Sequence, residues 1–128
     1  MSRRLFSSGS KYEELAGYSR AVAEGDWVFV SGTSGHDTKT GFIEDDVVLQ
    51  TRQSLTTIRE ALEEADAALE DVVRVRVFLA DRADVMAVSG VLKETFDHIR
   101  PTNTTIVCTM ADEKMKVEIE VTALRRQD

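Results

Sequence analysis

Apolar and charged residues alternate in two separate stretches of the chain. Val73, Val75, Val77 and Leu79 are interleaved with Arg74, Arg76 and Phe78, and Val117, Ile119, Val121 and Ala123 with Glu118, Glu120 and Thr122. A period of two puts each set on its own face of a strand, so both stretches predict strands with one apolar and one largely charged face. Trp27 to Ser31 is rich in aromatic and β-branched residues and predicts a third strand. The weaker alternation from Gly17 to Val22, followed by the turn residues Glu24, Gly25 and Asp26, predicts its hairpin partner. Ile106 to Met110 predicts a fifth strand, with Ala111 to Lys114 as the turn into the last one.

Between strands the period changes. Val48, Leu55, Ile58, Leu62 and Ala65 recur at helical spacing from about Asp46 to Ala68, opposite Arg52, Arg59, Glu60, Glu63 and Glu64. Val85, Val88, Leu92, Phe96 and Ile99 form a second stripe, with Asp81 or Asp84 as its cap and Pro101 as its stop. Gly32 to Gly41 reads as a loop. The predicted order is β-β-α-β-α-β-β, an α+β sheet with two helices on one face and a charged face opposite.

A chain of 128 residues makes one domain, taken as residues 1–128, with a single core. No apolar run approaches the length of a membrane span, and no apolar stretch follows Arg3 and Arg4 as in a secretory signal. The net charge of −7 disfavours non-specific nucleic-acid binding, which needs clustered Lys and Arg. The lone Cys108 precludes an intrachain disulfide and suits a reducing cytoplasm; a small hydrophobe in the core is its expected role. His36, His98 and Cys108 are too few for a metal site within one chain.

Five stretches carry a resemblance: Gly17 to Val22, Val30 to Gly32, Gln53 to Leu55, Val75 to Leu79, and Arg100 to Thr105 followed by Val117 to Val121. In that order and spacing the chain resembles the RidA/YjgF family of small enamine/imine deaminases, also known as L-PSP endoribonucleases. The resemblance implies a chorismate-mutase-like fold, a homotrimer with an active-site cleft at each subunit interface, and hydrolysis of a small molecule without a cofactor. Deaminating members hold the substrate carboxylate with an arginine, because a guanidinium fork matches a carboxylate in charge and geometry.

Asn103 occupies that arginine's position here. By the same resemblance, the Thr105 carbonyl and Glu118 place the attacking water, and Tyr18 and Ser31 line the cleft. The residues themselves leave alternatives open. Glu118 serves equally as an ion-pair partner of Arg74 or Arg76, and Glu120 as a structural pair. Arg20, sharing a strand face with Tyr18, is either a replacement cation for the substrate or a solvated side chain. Arg76 is a ligand contact or a partner of the strand glutamates, and Asn103 binds a carbonyl-bearing ligand or caps a turn. His36 follows a strand in a glycine-rich loop, where a solvated histidine is the usual outcome. Two functions are therefore expected. One is deamination of an enamine or imine other than 2-aminoacrylate. The other is a non-catalytic small-ligand or protein-binding trimer; ribonuclease activity is disfavoured by the acidic charge.

Overall fold

The computed structural model describes residues 2–126. Its elements are β1 (Arg4–Phe6), α1 (Lys11–Ala16), β2 (Ala21–Glu24), β3 (Trp27–Ser34), α2 (Val47–Glu64), β4 (Val72–Leu79), α3 (Val85–Phe96), β5 (Thr102–Val107) and β6 (Val117–Leu124). One six-stranded sheet has the order β1-β2-β3-β6-β4-β5. All neighbouring pairs are antiparallel except β4 and β5, which run parallel because α3 carries the chain across.

The alternating strands fold as their pattern dictates. Val75, Val77 and Leu79 stand opposite Val121, Ile119 and Val117. All six are buried, with Ile58 and Leu62 of α2 and Val88, Leu92 and Phe96 of α3 in the same cluster. Full burial of one such side chain contributes roughly 1.5–3 kcal/mol. Arg74, Arg76, Phe78, Glu118, Glu120 and Thr122 take the other face, in register with one another. Asp46 caps α2 by accepting from the Leu49 amide. Pro101 follows Arg100, whose φ of 49° completes the exit from α3.

Several boundaries differ from expectation. Two N-terminal elements, β1 and α1, precede the hairpin. α1 starts at the Ser10 cap and ends at Gly17, whose φ of 73° suits glycine. Tyr18 and Arg20 are therefore in the irregular link to β2 and share no strand face. Val73 is not a core residue. A bulge between Val72 and Arg74 puts Val72 inside and Val73 outside. β5 starts four residues before the expected Ile106 and ends at Val107, so Cys108, just past its end, is exposed and not in the core.

Candidate functional site

The site is assembled where β3 breaks register with β6. A shift between Val30 and Thr33 separates their partners Val121 and Ile119, leaving Ser31 and Gly32 at an irregularity. Gly32 has no side chain, and the Glu118 carboxylate lies over it. A β-carbon there would stand 3.0 Å from Glu118 Oε2.

The α1–β2 link wraps the same place. The Ser31 hydroxyl donates to the Ser19 carbonyl at 2.6 Å, and the Ser31 amide to the Arg20 carbonyl at 3.0 Å. Arg20 Nη1 donates to Thr33 Oγ1 at 2.6 Å, while Arg20 Nε is buried without a partner among the described residues. Tyr18 is positioned by its amide, which donates to the Glu13 carbonyl at 3.0 Å.

Glu13, which the sequence reading did not single out, anchors this corner. It is buried at 6% exposure. Its carboxylate accepts from the Ser7 hydroxyl at 2.8 Å, the Ser8 amide at 3.1 Å and the Ser8 hydroxyl. Burial pushes its pKa upward, but the Ser8 and Ser7 hydrogen bonds and the Arg20 charge outweigh burial and hold it below the ordinary range. Its contacts lie between a loop and a helix and follow no period, so only the Ser10 and Gly17 helix bounds hint at the element that carries it.

Glu118 has the opposite balance. It is half-buried, and burial followed by the Glu120 charge raises its pKa, against a lowering by Arg20. Glu120 forms an ion pair with Arg76 at 3.3 Å, and Arg74 donates to the Thr122 hydroxyl at 3.0 Å. Glu118 has neither arginine as an ion-pair partner among the described contacts. A half-buried carboxylate biased toward its protonated form can accept a proton from water and return it.

Arg20, Ser31 and Glu118 thus meet at one corner, with Tyr18 on the link that borders it. Asn103 and Thr105 do not join them. They lie on edge strand β5, in register with the core-facing Val75 and Val77, whereas Glu118 is level with Phe78 on the opposite face. The sideways separation of two strands is about 10 Å. Arg76 remains on the charged face with Glu120. His36 is tied back to β3 by a 2.7 Å contact between Nδ1 and Ser34 Oγ.

Two surface grooves are present, of which one borders Tyr18. One of about 390 Å³ is lined by Leu5, Phe6, Ser10, Glu13 and Tyr18. The other, about 430 Å³, lies on the open sheet face between Trp27, Phe29, Val73 and Arg74, away from Glu118. Among the described residues, no three His, Cys, Asp or Glu side chains cluster around a common metal position, and no helix is long and apolar enough to cross a membrane.

The sequence model of the endoribonuclease L-PSP family matches residues 9–125. An uncharacterized protein of Streptomyces coelicolor is 41% identical over 95% of this chain and 92% of its own length. A goat protein named 2-iminobutanoate/2-iminopropanoate deaminase is 32% identical over 96% of this chain and 90% of its own. The crystal structure of a member of the YjgF/YER057c/UK114 family from Mycobacterium tuberculosis superposes with a TM-score of 0.88 at 40% identity, covering 96% of this chain and 99% of that one. With its sheet, helices and nearly full length matched in this way, the chain belongs to the RidA/YjgF family, the endoribonuclease L-PSP family.

Proposed function

We propose that this protein is a cofactor-free hydrolytic deaminase of a reactive enamine or imine, working at a cleft shared between subunits of a homotrimer. The observation that carries the reading is the placement of Glu118. It is a half-buried carboxylate with a raised pKa, seated over Gly32, next to Ser31 in the chain, and within reach of the Arg20 charge. Such a group takes a proton from a water attacking the C=N carbon and passes it to the departing nitrogen. The products are a carbonyl compound and ammonia. Relatives named 2-iminobutanoate/2-iminopropanoate deaminase support this reaction class.

The division of the site favours assembly. Within one chain Asn103 and Thr105 are two strands from Glu118 and on the other side of the sheet, so one cleft containing both sets needs a second copy. The open face also exposes Trp27 and Phe29, stacked at 6.2 Å, beside the charged rows, and covering it would bury them. Asn103 cannot supply the guanidinium fork of the deaminating pattern. The substrate is accordingly not the standard 2-aminoacrylate. The same residue favours the alternative, a non-catalytic small-ligand or protein-binding trimer of this fold.

The test is release of ammonia from imines generated by an amino-acid oxidase, with wild type and Glu118→Gln compared, and light scattering at micromolar concentration. Acceleration by wild type alone, from a trimer, is expected. A monomer removes the shared cleft, and no acceleration of any imine leaves the binding reading.

A further inference from the structure

The Thr105 hydroxyl donates to Asn103 Oδ1 at 2.9 Å. Both side chains project from the same side of β5 and both are exposed. A primary amide has one acceptor oxygen and one NH2 with two donors. With Oδ1 held by Thr105, the NH2 is the end left to face a ligand. The surroundings on this strand are uncharged: Thr102 to Val107 contains no ionisable residue, and the β4 partners on that side are Val75 and Val77. A carboxylate placed here has one neutral donor in place of a two-bond guanidinium fork, and on this side of both strands no countercharge offsets the hydration it gives up. A neutral carbonyl loses nothing by the same pairing.

We propose that Asn103, oriented by the Thr105 side chain, donates to an uncharged carbonyl, so that the site takes a carboxamide-type compound in place of an α-imino carboxylate. The imine part rests on the deaminase reading above; the carbonyl part stands or falls on binding alone. Thr105 then has a positioning function in its hydroxyl, separate from any role of its main-chain carbonyl.

The experiment uses 2-oxobutanamide and 2-oxobutanoate, stable keto counterparts of an imino amide and an imino acid. Each is titrated into the full-length protein by calorimetry, with the Asn103 side-chain NH2 followed by ¹⁵N–¹H NMR. The amide is expected to bind about tenfold tighter, the equivalent of one hydrogen bond, and to move the Asn103 resonances. Thr105→Val should erase that preference while keeping the main-chain carbonyl, and Thr105→Ser should retain it. Asn103→Asp, of the same shape without donors, should lose amide binding, and Asn103→Arg should favour 2-oxobutanoate. Equal or tighter binding of 2-oxobutanoate by wild type overturns the proposal, as does an unmoved Asn103 resonance with both compounds. Amide binding without turnover of the matching imine upholds this proposal and removes the deaminase reading.

Discussion

The Glu118 carboxylate occupies the space that a side chain at Gly32 would fill, with Oε2 3.0 Å from the position of the missing β-carbon. The obstructing atom is the far end of a flexible side chain, so Gly32→Ala should fold normally and displace Glu118. Turnover of the imine substrate should fall, while circular dichroism stays unchanged. Full activity in Gly32→Ala would show that this seat is not needed.

Gly35 makes the contrasting case. A β-carbon there would lie 2.7 Å from the backbone of Gln50 in α2, which cannot move alone. Gly35→Ala should lower stability by about 1–3 kcal/mol, the usual cost of overpacking, as read by chemical denaturation. An unshifted midpoint would mean that α2 slides freely on the sheet.

Glu118→Gln should reduce turnover by about 10²–10⁴-fold, the range for a general acid–base group. Stability should not fall with it. A raised carboxyl pKa means that folding favours the protonated form; that stabilisation is full below the unfolded pKa and is lost as pH rises through the folded one. At neutral pH the neutral glutamine therefore costs the fold nothing. Glu120→Gln should instead remove the Arg76 pair and leave the rate largely intact. If Glu120→Gln abolishes activity and Glu118→Gln does not, the two roles are exchanged.

Arg20 holds the Glu118 pKa down against burial and Glu120. In Arg20→Gln the Glu118 carboxyl should titrate at higher pH, measured by ¹³C NMR, and the acid limb of the rate profile should move with it. An unchanged titration would mean that the guanidinium only supports Thr33.

Glu13→Gln tests the anchor of this corner. A depressed carboxyl pKa contributes stability that is present above the unfolded value and lost as pH falls through the folded one. The variant should be less stable than wild type at pH 7 by about 1.5–3 kcal/mol, the scale of a hydrogen bond to a charged group. The difference should shrink on acidification through the carboxylate range. A gap that persists at the lowest pH would assign the loss to packing.

Where the sheet has one wet and one dry face, the sequence is enough to read it. Val75 to Leu79 and Val117 to Ala123 alternate cleanly, and the structure seats them accordingly. The N-terminal elements leave too little pattern: β1 has three residues and α1 six, each under two turns of any period. The valine pair Val72 and Val73 conceals a bulge because either residue suits the core. The apolar run Ile106 to Met110 marks only the end of β5, because an edge strand need not be apolar and the threonines before it pair with β4 together with Ile106 and Val107. Ser31 and Glu118 are neighbours because Gly32 leaves room for the carboxylate, whereas the distance between Glu118 and Asn103 depends on strand order, which no local pattern encodes.

The two ends of the sheet are unequal. β1 is three residues long, and its Arg4 pairs with Asp66, a short and charged border that discourages further pairing. β5 is six residues long, without an ionisable group and with Ile106 and Val107 exposed. Its free backbone edge is a template for any extended chain that reaches it. In partly unfolded samples, then, insolubility should begin at residues 102–107, and a lysine at Ile106, on the side of β5 away from Asn103 and Thr105, should reduce it.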